Sequence, residues 1–132
     1  MRKIIGFLAL NFFIAPFTYS ANALWNAEQG FGIWIYNESG TCQEMRTKSS
    51  EFIVVTPPQK IESETSVKFE VKNLKLCSLF KSAGEIEKCA GGYIELKFDK
   101  AKQEYSGRYF FSFPSAGGRK ANFSASFCKP GQ

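Results

Sequence analysis

The sequence predicts an all-β fold: a small antiparallel β-sandwich or barrel of about six to eight strands, stapled by disulfide bonds. Short runs in which apolar and polar residues alternate, as in half-buried strands, recur along the chain between turn-forming residues. Four cysteines accompany them in a chain whose first residues have the features of an export signal. Nothing in the pattern separates a sandwich from a barrel.

Residues 1–23 have the three parts of a secretory signal peptide. A positive start, an apolar run and a small-residue cleavage site follow one another: Arg2 and Lys3, Ile4 to Phe17, and Ala21-Asn22-Ala23. Ser20 is a second possible cut point. The apolar run is shorter than the roughly 20 residues that a transmembrane helix needs. We therefore expect residues 24–132 to form a single β-domain that is periplasmic or secreted and has no membrane span.

The first strong strand signal after this segment is Phe31–Tyr36, which is apolar on both faces and is therefore predicted to be buried. The preceding stretch, Leu24–Gln29, is predicted to be a loose lead-in. Within it, Trp25 is either an exposed contact residue or tucked against the core. A polar turn follows at Asn37–Gly40, and Thr41–Arg46 is a candidate returning strand.

Two more strands are predicted in the middle part of the chain. Phe52–Val55 is a short apolar run that ends before Pro57, because proline has no N–H to give to a strand ladder. In Val67–Val71 apolar residues alternate with charged ones, which indicates a half-buried strand. Ser78–Lys88 partly fits one helical face but contains Gly84, so we expect a loop with one helical turn.

The last third of the chain, Gly91–Cys128, predicts two adjacent antiparallel hairpins. Three runs place alternate apolar residues on one face: Ile94, Leu96 and Phe98, then Tyr105, Tyr109, Phe111 and Phe113, then Phe123, Ala125 and Phe127. The links at 99–104 and 114–118 carry turn-forming residues. Gly107, among the aromatic residues, predicts a bulge, and a close approach of another chain segment is the alternative.

The cysteines predict two disulfide bonds, because an even set in an exported chain is typical of a disulfide framework. Three pairings are possible. We favour Cys77 with Cys89, which closes the ambiguous segment, and Cys42 with Cys128, which ties the first half of the chain to its last strand. A metal or redox site would need closely spaced cysteines, which are absent, and the chain has no histidine. The sequence therefore predicts no metal and no cofactor.

The absence of histidine also argues against catalysis. It removes the usual base for a serine or cysteine nucleophile, and a cysteine held in a disulfide cannot attack a substrate. Paired carboxylates, as in glycoside hydrolysis, remain conceivable, with Glu85, Glu87, Glu95 and Asp99 as the candidates. Their neighbours include lysines in turns and on strand faces, as on a solvated surface. We therefore expect a protein that is not an enzyme.

Possible partner contacts are two groups of residues, Asn37, Glu38 and Ser39 in a turn and the cationic neighbours Arg119 and Lys120. Loops on a stiff scaffold often carry binding function, so segments 57–66 and 78–88 are further candidates. The basic residues of the last hairpins form no concentrated stripe with exposed aromatic side chains between them. We therefore expect a protein or cell-envelope partner rather than nucleic acid.

The tail Ser106–Cys128, with its Ser-Gly pair, alternating aromatic residues and terminal cysteine, resembles the closing hairpin of many small exported bacterial proteins. In size, export and β-content the chain is also similar to small periplasmic lysozyme inhibitors, but no inhibitory loop motif matches. The sequence thus favours an exported, non-enzymatic binding protein. The alternative is an inhibitor or immunity-type protein that blocks a specific enzyme, such as an envelope hydrolase.

Overall fold

A computed structural model describes residues 20–26, 31–36, 51–82 and 84–128 of the chain. In these residues one curled, mixed sheet of nine strands has the form of a half-barrel. The strands are β1 Ser20–Asn26, β2 Gly32–Tyr36, β3 Phe52–Thr56, β4 Val67–Glu70, β5 Leu76–Phe80, β6 Ile86–Lys88, β7 Gly91–Asp99, β8 Glu104–Phe113 and β9 Gly117–Phe127. Their order across the sheet is β4-β7-β8-β9-β1-β2-β3-β5-β6. The predicted all-β class is confirmed.

Strands β7, β8 and β9 are the two adjacent hairpins that the alternating pattern predicts. Their antiparallel ladders pair β7 with β8 and β8 with β9 over nearly their whole length. The predicted inward residues of β7 and β8 are buried, and Phe123 and Ala125 of β9 are too, whereas Phe127 at the strand end is 38% exposed. Local alternation of side chains therefore accounts for this half of the sheet.

Strands β7 and β8 approach each other closely at two glycines. The register of β8 is continuous on both sides of Gly107, so the predicted bulge is wrong. The alternative, a close approach, is what occurs: a Cβ on Gly107 would lie 1.9 Å from the carbonyl oxygen of Glu95. Gly92 on β7 has a φ of +116°, and its Cβ would lie 2.0 Å from the carbonyl oxygen of Phe110. Only residues without side chains allow this contact between the strands.

Strand β1 occupies the place where the sequence predicts a loose lead-in, and that prediction is wrong for residues 24–26. The strand lies between β9, to which it is parallel, and β2, to which it is antiparallel. Trp25 is 5% exposed, and its ring packs on Phe31, Phe98, Tyr105 and Phe127. Burial of this large ring and two hydrogen-bonded ladders together stabilise the strand.

The segment Ser78–Lys88 contains a strand hairpin, so the predicted loop with a helical turn is wrong. Strands β5 and β6 pair antiparallel, and Leu79 is fully buried against the core. Gly84 lies in the turn between them with a φ of +87°, a conformation that glycine adopts without strain. The turn closes with a hydrogen bond from the Lys81 N–H to the Glu85 carbonyl oxygen.

The predicted disulfide between Cys77 and Cys89 is present, with the two Cα atoms 5.4 Å apart. It joins β5 to the chain just after β6, where the Cys89 N–H also donates to the Cys77 carbonyl oxygen at 3.0 Å. Cys128 is also disulfide-bonded. Its predicted partner Cys42 lies outside the described residues, as do the candidate strand Thr41–Arg46 and residues 1–19 of the predicted signal peptide.

The core lies on the inner, concave side of the sheet and is continuous from β4 to β5. A smaller buried cluster, Leu24, Tyr36 and Cys128, lies on the outer side of the central strands. Within the described ranges, no helix is long and apolar enough to cross a membrane. The half-barrel has two ends, one formed by segment 57–66 and the β7–β8 turn, the other by the β5–β6 and β8–β9 turns.

Candidate functional site

The segment from Pro57 to Ser66, which we call the Ile61 loop, crosses one end of the half-barrel. Pro57 is fully buried and Ile61 is 5% exposed, so two apolar side chains anchor the loop to the core. The Tyr105 hydroxyl donates to the Ile61 carbonyl oxygen at 2.5 Å, and the Phe98 N–H donates to the Ser63 carbonyl oxygen at 2.8 Å. The loop backbone is therefore held at two points along its length.

Within the loop, Ser63 and Thr65 form a local turn. The Thr65 N–H donates to the Ser63 hydroxyl oxygen at 3.1 Å, and that hydroxyl lies 2.9 Å from both the carbonyl and the hydroxyl oxygen of Thr65. A side chain that bonds its own neighbouring backbone favours the turn over extended structure. The outer half of the loop is thus ordered by its own residues as well as by the sheet.

Aromatic rings form the surface beneath the loop. Tyr105 contacts Trp25, Phe31 and Phe98, with ring centroids 5.2, 5.0 and 4.6 Å apart. The Trp25 indole N–H donates to the Gln103 carbonyl oxygen at 3.0 Å, which joins β1 to the β7–β8 turn. These contacts fix the side chains of Trp25 and Tyr105, which support the loop.

The exposed side chains of the Ile61 loop are polar or small: Pro58, Gln59, Lys60, Glu62, Glu64, Thr65 and Ser66. Lys60 lies 3.9 Å from the Glu62 carboxylate and 5.9 Å from the centre of the Trp25 ring. Exposed ion pairs of this length contribute little to stability. These groups are therefore available for contacts outside the molecule.

Burial raises the pKa of Tyr105 to about 12, with a further contribution from the negative charge of Glu62. The phenol therefore stays protonated at neutral pH. Its hydroxyl is then a hydrogen-bond donor to the loop.

Replacement of Tyr105 with phenylalanine is expected to loosen the Ile61 loop. The change leaves the buried Ile61 carbonyl oxygen without this donor, which costs about 1–2 kcal/mol of unfolding free energy. Urea denaturation measures that loss, and limited proteolysis measures cleavage within residues 57–66. Tyr93→Phe is the matched control, because Tyr93 lies half-buried on the other side of the sheet. Equal protease resistance of the Tyr105 variant and the native protein would contradict the anchoring role.

At the opposite end of the half-barrel, Glu87 joins the edge strand β6 to the β8–β9 turn. Its carboxylate accepts hydrogen bonds from the Ser115 hydroxyl, from the Ser115 N–H at 3.0 Å and from the Ala116 N–H at 3.3 Å, and it pairs with Lys81. The hydrogen bond from Lys81, followed by those from Ser115, lowers the pKa of Glu87 to about 2. The same bond raises the pKa of Lys81. The carboxylate is thus a structural tie that stays charged at neutral pH.

Acid is expected to destabilise the protein through Glu87. Its carboxyl group has a pKa of about 2 in the folded chain against 4.5 ordinarily, so its contribution is complete above pH 4.5 and is lost as the pH falls toward 2. Melting temperatures measured by circular dichroism from pH 7 to 2 should fall less steeply over that interval in Glu87→Gln than in the native protein. Glu85→Gln, whose side chain is 71% exposed, is the control and should keep the native slope.

Each of the four carboxylates considered for catalysis has a structural partner, and Glu85 and Glu87 share Lys81. Glu85 lies 3.9 Å from Lys81, Glu95 bonds to Arg108 at 2.5 Å, and the Asp99 carboxylate accepts the Lys102 N–H at 3.2 Å in the β7–β8 turn. Glu87 has a lowered pKa, which is unsuitable for a general acid near neutral pH. Among the described residues, three or more potential metal ligands do not cluster anywhere.

The two cationic residues predicted as partner contacts are not brought together. Arg119 and Lys120 are consecutive in β9 and therefore point to opposite faces of the sheet. Arg119 faces inward and bonds to Glu51 at 2.6 Å, whereas Lys120 is exposed on the outer face opposite Phe110. The other predicted contacts, Asn37, Glu38 and Ser39, lie outside the described residues.

Sequence reasoning selected segment 57–66 but missed how it is held. The signal that could have found the anchor is Ile61 itself, an isolated apolar residue between Lys60 and Glu62 in a polar stretch. The partner of the Tyr105 hydroxyl lies 44 positions away along the chain, beyond the reach of local patterns.

The chain matches no family model, no curated protein and no solved structure.

Proposed function

We propose that the protein is an exported, non-enzymatic binding protein that contacts a protein partner through the exposed side chains of the Ile61 loop. The observation that carries the proposal is the anchoring of this loop. Two buried side chains and two hydrogen bonds hold its backbone while seven other side chains point to solvent. A loop fixed before binding loses little conformational entropy when a partner binds it.

Export is part of the proposal and agrees with the disulfide chemistry. The Cys77–Cys89 bond is compatible with an oxidising compartment such as a periplasm or the cell exterior. The predicted signal peptide would direct the chain there.

A second candidate is an inhibitor that blocks an envelope hydrolase with the same loop. The same anchoring favours it, because a preorganised loop suits tight binding to a preformed enzyme cleft, and inhibitor backbones change little on binding. The two functions differ in the consequence of binding. An inhibitor abolishes its partner's activity at one molecule per enzyme, whereas a binding module leaves that activity unchanged.

Affinity capture from the envelope fraction tests the proposal, with the native disulfide-bonded domain as bait and a triple variant beside it. Gln59→Ala, Lys60→Ala and Glu62→Ala together remove three exposed loop side chains and retain the anchors Ile61 and Pro57. A partner bound by the native domain should be depleted at least about tenfold with the triple variant, since interface side chains of this kind together contribute more than about 1.4 kcal/mol.

The control variant changes the adjacent turn at the same end of the sheet. Lys100→Ala with Lys102→Ala removes two exposed side chains from the β7–β8 turn, where the hydrogen bonds of these two residues use only backbone atoms. Partner capture should survive this change. Equal capture by the loop variant and the native domain would refute the role of the loop. If the captured partner is a hydrolase, it is titrated with the domain. Loss of hydrolase activity at one domain per enzyme indicates the inhibitor function, and unchanged activity indicates the binding module.

We expect the mature N-terminus to be Ala21. Cleavage after Ser20 leaves β1 nearly whole. Cleavage after Ala23 would remove Ala23 itself, which is 3% exposed and lies opposite Ala125 and Ile35. N-terminal sequencing or intact-mass spectrometry of the exported product identifies the cut. A product that begins at Leu24 would contradict the expectation.

A further inference from the structure

The two halves of the sheet differ in their outer faces. On β4, β7, β8 and β9 the outer face carries eight charged side chains: Lys68, Glu70, Glu95, Lys97, Asp99, Glu104, Arg108 and Lys120. On β1, β2, β3 and β5 the described part of the outer face carries no charged side chain. Apolar side chains stand there in two adjacent rows, Leu24, Trp34 and Val54, then Tyr36, Phe52 and Phe80. We call these six residues the Trp34 face.

The Trp34 face is largely buried although it lies on the convex side of the sheet. The Tyr36 and Phe52 ring centroids are 5.4 Å apart, and Phe52 stacks on Phe80 at 5.1 Å. Leu24 and Tyr36 are each only 4% exposed. A single sheet leaves its convex side open to water, so side chains this buried need a second layer over them. Among the described residues, those packed around Leu24 and Tyr36 belong to this face or to the end of β9, so they do not supply that layer.

A disulfide bond reaches this face at Cys128. This residue is 3% exposed, lies in one buried cluster with Leu24 and Tyr36, and is disulfide-bonded. The chain has four cysteines, and two of them are joined in the Cys77–Cys89 bond. Cys42 is therefore the cysteine that remains for Cys128. It belongs to residues 37–50, the stretch of chain between β2 and β3.

The length of this stretch suits a bond to Cys128. Residues 37–50 follow Tyr36 and precede β3, and Tyr36 and Phe52 lie opposite each other on the Trp34 face. Cys128 lies two strands away from β2 and about four residues further along, so it is about 16 Å from Tyr36. The six residues from Tyr36 to Cys42 reach about 20 Å when extended, and the ten from Cys42 to Phe52 reach about 33 Å.

The composition of residues 37–50 shows why a covalent bond is needed. Cys42 and Met45 are the only apolar side chains in the stretch. Two such side chains bury too little apolar area to hold fourteen residues on a surface against their conformational entropy. A disulfide removes much of that entropy in advance.

We propose that residues 37–50 of the same chain cover the Trp34 face and that a bond between Cys42 and Cys128 holds them there. The apolar half of the outer surface is thereby kept from water and from partners. This inference does not depend on the Ile61 loop, which lies at one end of the half-barrel. Failure of either proposal leaves the other intact.

Peptide mapping of the exported, unreduced protein tests the bond without any substitution. Free thiols are blocked with iodoacetamide, the chain is digested, and the linked peptides are identified by mass spectrometry before and after reduction. We expect a linked pair that contains Cys42 and Cys128, and a second that contains Cys77 and Cys89.

Tryptophan fluorescence tests the cover, because Trp34 is half-buried on this face and the other tryptophan, Trp25, is in the core. In Cys42→Ala with Cys128→Ala, acrylamide should quench the fluorescence more strongly and the emission maximum should move to longer wavelength. A second variant, in which Asn-Gly replaces residues 37–51 and Cys128→Ala is added, should show the same change. A two-residue hairpin suits that junction, since Tyr36 and Phe52 are directly opposite.

Two controls assign the change to the Trp34 face. With Trp34→Phe added, the Cys42 and Cys128 substitutions should leave quenching unchanged, because only Trp25 then reports. Cys77→Ala with Cys89→Ala removes the other disulfide and should also leave quenching at the native level. Circular dichroism melting verifies that each variant folds.

Three results would overturn the proposal. The first is a peptide map in which Cys42 and Cys128 are free or are linked to other cysteines. The second is native quenching in the folded variants that lack the bond or residues 37–51. The third is a native dimer in sedimentation velocity whose dissociation on dilution exposes Trp34, which would assign the cover to a second copy of the chain.

Discussion

Replacement of Gly107 with alanine is expected to cost at least about 3 kcal/mol of unfolding free energy, the upper range for overpacking a core. The added Cβ would lie 1.9 Å from the Glu95 carbonyl oxygen and 2.9 Å from the Leu96 Cα, both backbone atoms of β7. Strand β8 has ladders on both sides, so it cannot move away from β7 without breaking its pairing with β9. A loss of this size is a large part of the stability of a domain of about 100 residues.

Urea denaturation followed by circular dichroism measures the effect of Gly107→Ala. Gly91→Ala is the matched control, because Gly91 begins β7 and its Cβ would meet only the Ser112 hydroxyl oxygen, at 3.4 Å. That control should keep the native stability or gain slightly, since alanine restricts the unfolded chain more than glycine does. A difference of less than about 1 kcal/mol between the unfolding free energies of the Gly107 variant and the control would be no larger than the effect of a surface substitution. That result would refute the close approach of β7 and β8.

Removal of the Cys77–Cys89 disulfide is expected to cost about 3 kcal/mol. The bond closes a loop of sequence separation 12, for which the chain-entropy model gives this value. The variant Cys77→Ala with Cys89→Ala avoids leaving a hydroxyl in the buried position of Cys77, which is 8% exposed. The lost stability is measured by urea denaturation of the double variant without reductant.

The same variant should also weaken one region selectively. Strand β6 has three residues and pairs only with β5, so the disulfide and the Glu87 tie are its main additional restraints. Amide hydrogen exchange should therefore accelerate in Ile86–Lys88 more than in β8. Uniform acceleration in both strands, or a stability loss below 1 kcal/mol, would contradict this role for the disulfide.

The hairpins of the last third could be predicted because their signal is local. Apolar residues at every second position of β7 and β8 face the core whatever the rest of the chain does. Gly107 shows the limit of that signal, since a bulge and a close approach both call for glycine. The register of the neighbouring strands, which the sequence does not encode locally, separates the two.

The remaining errors come from contacts that are distant in sequence. The place of strand β1 in the sheet depends on Trp25 packing against rings that come from other strands. In β5 two adjacent apolar residues, Leu79 and Phe80, fit a helix or a strand equally, and pairing with β3 decides the outcome. The candidate site is similar, because segment 57–66 could be selected by its composition while its anchor on Tyr105 could not.

The parallel pairing of β1 with β9 brings the first and the last of the described strands together in the middle of the sheet. In the export that we propose, the N-terminus would cross the membrane first, and β1 would lack its neighbour β9 until the end of the chain had emerged. Contact order is high for this pairing, and closing so long a loop is slow. During that interval Leu24 and Trp25 stay accessible to chaperones and to other unfolded chains, so the stage most prone to aggregation precedes the arrival of the last strand.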